Sequence, residues 1–155
     1  IKAVIMEMIN LLIVDDRDVI RDAFKVLLSK YPSIRIVSEA ENGADAVDII
    51  SRRGEEIDIV LMDINLPKMN GMEATRKIKA INSKVKIIAF SLHTSAGYIV
   101  EMIKAGVSGY VTKNEEANTF LDAIQAVYNG GIYLSDKIDS TEYDKATSML
   151  KKRAC

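Results

Sequence analysis

The chain has 155 residues, 48% of them apolar and 28% charged, which suits one soluble domain with a proper core and leaves little room for a second. Its 21 basic side chains face 22 acidic ones, a net charge of -1, so no overall field draws it to nucleic acid or anionic lipid. The single cysteine, Cys155, cannot close an internal disulfide and fits a reducing, cytoplasmic setting.

Residues 1–14 are rich in Ile, Met, Val and Leu, but Lys2, Glu7 and Asn10 interrupt them. The run falls short of the roughly 18 apolar residues of a membrane span, and no small-residue cleavage site follows it. We therefore expect neither a signal peptide nor a membrane anchor, and read residues 1–8 as an extension outside the domain.

Beyond it, short aliphatic runs at Leu11–Val14, Ile34–Val37, Ile57–Met62, Val85–Phe90 and Val107–Val111 predict strands. Between and after them, apolar residues recur at helical spacing. The first set is Val19, Ala23, Val26 and Leu27; the second is Ala46, Val47 and Ile50; the third is Met72, Ile78 and Ile81. Ile99, Val100 and Ile103 follow, and then Phe120, Leu121, Ile124, Val127 and Tyr128. Pro32, Asn42-Gly43, Arg53-Gly54, Asn70-Gly71 and Asn82-Ser83 punctuate the pattern, while Asn114, Glu115 and Glu116 suit a capped helix start. Strands apolar on both faces, joined by helix-length crossovers, imply parallel pairing under two helical layers. The expected fold class is α/β, a three-layer α/β/α sandwich.

After Gly130-Gly131 the alternation stops. Residues 132–155 open with the turn-rich "IYLSDKIDS" and then offer one more helix. There Thr141 and Asp144 form a capping-box-like pair, Tyr143, Ala146, Met149 and Leu150 share a face, and Lys151, Lys152 and Arg153 suit the C-terminal end. The expected division is a domain over 9–131 and a linker or appended helix over 132–155.

In an open parallel sheet, ligands bind beyond the carboxyl ends of the strands. The residues expected there are Asp15 and Asp16 after the first strand, Asp63 after the third, Ser91 after the fourth and Lys113 after the fifth. Each close pair of carboxylates repels by about 4 kcal/mol at roughly 4 Å with an effective dielectric near 20. A divalent cation together with Lys113 balances the three aspartates, and oxygen ligands with room for water favour Mg²⁺. Asp63 ends the most apolar strand, "IDIVLMD", and precedes the turning loop "INLPKMNG". It is the candidate nucleophile, since a carboxylate attacking phosphorus forms an aspartyl phosphate. Ser91 suits a hydrogen bond to the arriving phosphoryl oxygen.

The motifs "IVDD", "LMDINLPKMNG", "IIAFS" and "GYVTK", in this order and spacing, resemble the receiver domain of two-component response regulators. The segments "GVSGYVTK" and "AVYNGGIYLSDKI" resemble its NarL/FixJ (LuxR-type) subgroup. The resemblance implies a flavodoxin-like (βα)5 fold with strand order 2-1-3-4-5. By position it makes Asp63 the phosphoacceptor, and Asp15, Asp16, Asp63 and the Asn65 main-chain carbonyl the Mg²⁺ ligands. Lys113 becomes the family's lysine, Ser91 the switch hydroxyl and Tyr110 the switch aromatic, with Asn65 and His93 modulating how easily water attacks the phosphoryl group.

The implied protein is not an enzyme acting on other molecules but a phosphoacceptor that catalyses its own phosphorylation and dephosphorylation. Its implied partners are a sensor histidine kinase or phosphotransfer protein, a second copy on phosphorylation, and DNA only through a C-terminal domain, which 24 residues after Gly131 are too few to form. The alternative is a stand-alone receiver acting by protein contact. Asn114 stands where the family commonly has proline after the lysine. A flavodoxin-type flavin binder is disfavoured because "VDDRD" repels a phosphate lacking a metal, and a haloacid-dehalogenase-type phosphatase because Asn65 replaces its second aspartate.

Overall fold

The computed structural model describes residues 7–91, 96–113, 115–135, 144–145, 147–149 and 151–152. Five expectations on Asn114, His93, Cys155, the capping pair of Thr141 and the helical face of Tyr143, Ala146 and Leu150 lie outside these residues, as does Arg153.

In chain order the elements are β1 (Ile9–Val14), α1 (Asp18–Leu28), β2 (Ile34–Ala40), α2 (Gly43–Arg53), a 3-10 turn (Gly54–Glu56), β3 (Ile59–Asp63) and α3 (Gly71–Ile81). They continue with β4 (Lys86–Ser91), α4 (Ala96–Ala105), β5 (Gly109–Thr112), α5 (Ala117–Tyr128) and β6 (Tyr133–Leu134). All pairings are parallel, in the order β2-β1-β3-β4-β5-β6. The expected order of the first five strands is present, and the sixth is an addition inside the stretch read as turn-rich. A two-residue strand carries no periodicity of its own, so only its pairing with β5 marks it.

The period-2 alternation of the strands splits the interior into two layers. Leu12, Val14, Val60, Met62, Ile87, Ala89 and Tyr110 face α2, α3 and α4 through Ala46, Ile50, Ala74, Ile78, Ile99 and Met102. Leu11, Ile13, Ile59, Leu61, Ile88, Phe90 and Val111 face α1 and α5 through Phe24, Leu28, Phe120, Ile124 and Val127. Met149 and Leu134 both pack on the first layer, so part of the stretch after β6 touches the core. In the second layer Phe24, Phe90 and Phe120 meet edge to face, with centroids 5.1 to 6.3 Å apart.

Three details differ from the periodic reading. In α1 the buried residues are Arg21, Phe24 and Leu28, whereas Val19 and Val26 are 77% and 68% exposed and Ala23 is exposed. The larger apolar area of Phe24 and Leu28 decides which face turns inward. Ile81, at the last turn of α3, is also exposed. β2 is a half-exposed edge strand rather than one apolar on both faces, and it runs past Val37 to Ala40 after an irregularity in its register with β1.

Two glycines set how closely the loop after β3 is held. Asn42 and Asn70 cap α2 and α3 by accepting from the N–H groups of Asp45 and Glu73. Gly43 N–H donates to Met69 O at 3.1 Å and Gly71 N–H to Ile64 O at 2.9 Å. A Cβ on Gly71 would lie 2.2 Å from Asp63 O, and one on Gly43 2.1 Å from Met69 O, both backbone atoms that cannot swing aside. The left-handed residue of this loop is Lys68, at φ 58°.

Two outcomes follow in urea titrations monitored by circular dichroism. Phe24→Ala should lower stability by about 3 kcal/mol while Val19→Ala changes it by less than about 0.5 kcal/mol, and the reverse ranking would contradict the buried face of α1. Gly71→Ala should cost at least about 2 kcal/mol, because the added methyl displaces the Asp63 backbone.

Candidate functional site

The carboxyl ends of β1, β3, β4 and β5 share one edge. Val14 pairs with Met62, Asp63 with Phe90, and Ser91 with Thr112, so the polar residue at or after each strand end arrives at a common level. Asp15, Asp16 and Asp63 each bring a carboxylate oxygen within 4.8 Å of the others. Asp15 and Asp63 are buried at 0% and 2% exposure, and Asp16 is open to solvent. Lys113 Nζ stands 3.1 Å from Asp63 Oδ1 and 3.4 Å from Asp15 Oδ2. The same ammonium lies 5.1 Å above the Phe90 ring, whose face attracts the cation.

Ser91 is buried at the end of β4, and its carbonyl accepts the Lys113 N–H at 2.8 Å, tying the lysine's backbone to the serine's. Asn65 is exposed and donates its N–H to Asp63 Oδ1 at 3.3 Å. Tyr110 is fully buried in the first core layer, two residues behind the end of β5. Asp15, Asp16, Asp63 and Lys113 thus form one cluster, with Ser91 and Asn65 at its border and Tyr110 beneath it. A separate cleft of about 720 Å³ opens at the opposite end of the sheet, among Asp58, Lys84, Lys86 and Tyr128.

The electrostatics are uneven. Burial alone would raise the Asp15 carboxyl, but hydrogen bonds from the Arg17 side chain and N–H and the nearby charges of Lys113 and Arg17 outweigh it and hold it below the usual range. Asp63 is pushed up, chiefly by burial and further by the Asp15 charge, against the pull of Lys113. Its ionised form is therefore under-compensated by the protein alone. Three converging carboxylates, one of them solvent-facing, form a donor set that fits a hard divalent cation.

Three supporting residues were not legible from spacing. Arg17 pairs with Asp15, at 3.3 Å from Nε to Oδ1. Arg21, buried on the inner face of α1, donates from Nη1 to the Asp15 carbonyl at 2.6 Å and from Nε to Glu39 at 3.1 Å, and also bonds Asp18. Its signal would have been an arginine one turn after the aspartates, on the same face as Phe24 and Leu28. Glu115, expected to help start a helix, instead accepts hydrogen bonds from the hydroxyls of Thr112, at 3.2 Å, and Ser135. The helix begins at Ala117 with Glu116 as its cap residue.

The raised Asp63 sets a pH signature. A carboxyl whose folded-state pKa exceeds its unfolded value favours the fold at low pH, and that contribution is lost as pH rises through the folded value. In metal-free buffer, Asp63→Asn should therefore be more stable than the wild type near neutral pH, and the advantage should vanish as pH falls to the ordinary carboxyl value of 3.8. Thermal melts across that range with EDTA measure it, and an advantage independent of pH would rule out the titration of Asp63 as its source.

The response regulator receiver domain model matches residues 11–125. Over 131 residues the chain is 37% identical to the response regulator UvrY of Escherichia coli K12, and over 130 residues 35% identical to the transcriptional regulatory protein DegU of Brevibacillus brevis. These matches cover 84% of this chain but 59% and 54% of those proteins, so the chain spans little more than half the length of either. Among solved structures, a LuxR-family two-component response regulator from Aurantimonas sp. SI85-9A1 superposes with a TM-score of 0.79 at 29% identity, covering 96% of this chain and all of that one. The receiver domain of a NarL regulator from Mycobacterium tuberculosis, at 22% identity and TM-score 0.74, shares the fold and covers 80% of this chain and 98% of that one. No helix among the described residues is long and apolar enough to cross a membrane. The chain belongs to the receiver domain family of two-component response regulators, with the LuxR-type regulators among its relatives.

Proposed function

We propose that Asp63 accepts a phosphoryl group from the phosphohistidine of a sensor kinase or phosphotransfer protein, and that the resulting charge switches a surface on the domain over 9–131. One Asp63 oxygen attacks phosphorus, the bond from phosphorus to the donor imidazole breaks, and the imidazole leaves with the electron pair. The observation that carries this reading is Lys113 Nζ at 3.1 Å from Asp63 Oδ1, a fixed cation at the spot where negative charge increases.

Asp15, Asp16, Asp63 and the Asn65 main-chain carbonyl would hold Mg²⁺, which when bound neutralises the charge of the carboxylates and of the phosphoryl oxygens. Asp16, facing solvent, leaves that side open to water and donor. The Ser91 hydroxyl serves as the switch hydroxyl, donating to a phosphoryl oxygen, and Tyr110 as the switch aromatic that follows the loop after β4. Asn65 and His93 adjust the access of hydrolytic water. Dephosphorylation runs at the same centre.

In this reading the donor protein docks on α1. A groove of about 200 Å³ between α1 and α5, lined by Ile20, Phe24, Leu27, Phe90, Lys113 and Phe120, opens beside the site, and α1 also exposes Val19 and Val26. Output runs through the surface of α4, β5 and α5, with residues 132–155 as the connection onward. Dimerisation and control of transcription through a DNA-binding domain complete the reading, in keeping with the name of the DegU relative.

Incubation with acetyl phosphate and Mg²⁺, followed by intact-mass spectrometry, should add about one phosphoryl group per chain. Asp63→Asn should abolish the addition, Lys113→Ala should slow it by at least about 100-fold, and EDTA should stop it. Labelling that survives in Asp63→Asn would place the nucleophile elsewhere.

A further inference from the structure

Arg17 follows the two aspartates directly and occupies both oxygens of Asp15. Its N–H donates to Oδ1 at 2.9 Å, Nε to Oδ1 at 3.3 Å and Nη2 to Oδ2 at 3.3 Å. Lys113 also donates to Oδ2, at 3.4 Å. Every acceptor on the most buried carboxylate of the cluster therefore already faces a positive group.

The two cations differ in how they are held. The Lys113 side chain is 14% exposed and rests on the Phe90 ring, between two buried carboxylates. The Arg17 side chain is 48% exposed and has Asp15 as its hydrogen-bonding partner, so it can move into water at little cost. The charge count points the same way. With both cations in place the three aspartates retain one unit of negative charge. Adding a divalent ion would turn this into an excess of positive charge, whereas withdrawing Arg17 at the same time leaves the cluster neutral.

We infer that Arg17 is an internal competitor for the divalent cation, clamping Asp15 in the metal-free protein and swinging out when the ion takes an Asp15 oxygen. This rests on the metal reading given above. Arg17 is a positioning residue here, acting through Asp15. Its coupling to the ion is reciprocal: the factor by which it weakens metal binding equals the factor by which the metal weakens its own hold on Asp15. The domain consequently fills with Mg²⁺ at a higher concentration than its carboxylates alone would require. Its metal-free form keeps Asp15 oriented instead of repelled from Asp63.

Calorimetric titration of MgCl₂ into the full chain tests this, with wild type, Arg17→Gln and Arg17→Lys compared at one low ionic strength. Arg17→Gln should bind Mg²⁺ about three- to tenfold more tightly, and Arg17→Lys, which keeps the charge but cannot fork both oxygens, should fall between. A second readout separates competition from a purely structural role. In EDTA the Arg17→Gln protein should melt at a lower temperature than wild type, and the gap should close or reverse in saturating Mg²⁺. Unchanged or weaker Mg²⁺ affinity in Arg17→Gln, with wild-type binding intact, overturns the proposal alone. Absence of binding heat and of any thermal shift in both proteins overturns the metal reading along with it.

Discussion

The Lys113 ammonium between Asp63 and Asp15 is the contact on which the rest of the site depends. Two carboxylates at 0% and 2% exposure would repel each other and resist losing water without a fixed positive charge beside them. The fold supplies that charge from 50 residues further along the chain than Asp63, by ending β3 and β5 at the same edge with β4 between them. Phe90 beneath the ammonium, packed edge to face with Phe24 and Phe120, links the position of Lys113 to the core on that side. Charge placement and apolar packing are thus one device rather than two.

A second ring of contacts holds the loops that carry these groups. Arg21 ties the Asp15 carbonyl to Glu39 at the end of β2, and Ala40 O accepts the Asp15 N–H. Asp63 is held from behind by the close approach of Gly71. On the other side, Glu115 joins Thr112 to Ser135, so the loop after Lys113 is bonded to the residue that follows β6. A shift of that loop would be felt directly at the start of the C-terminal segment. In most of these contacts a polar group is buried against a specific partner, which makes the arrangement discrete rather than gradual.

The sequence made the strand runs and their polar ends legible because both are local signals. An aliphatic run followed by Asp15-Asp16, by Asp63, by Ser91 or by Lys113 needs no knowledge of neighbours to be read as a strand leading to an edge. Asn42 and Asn70, read as interruptions, turned out to be helix caps, a distinction within reach of the same local chemistry. The buried face of α1 departs from the periodic expectation for a different reason. Val19, Ala23 and Val26 have helical spacing as good as that of Phe24 and Leu28, and the aromatic partners Phe90 and Phe120 add to the larger apolar area of Phe24 and Leu28 in deciding which set is buried. β6 has no local signal because two residues form a strand only when β5 offers them hydrogen bonds.

What the sequence by itself determined is the alternation of elements, the parallel α/β class and the set of chemically competent residues at strand ends, since each depends on period, propensity and residue type within a short window. What only the tertiary structure decided is which of those residues meet and how their charges are shared. Arg17 and Lys113 are both cations near an acidic cluster, yet one is half-exposed on Asp15 and the other is held between two buried aspartates with 14% of its side chain exposed. That difference cannot be written in a window of ten residues. It arises from separations of two residues in one case and 98 in the other, closed by the same sheet edge.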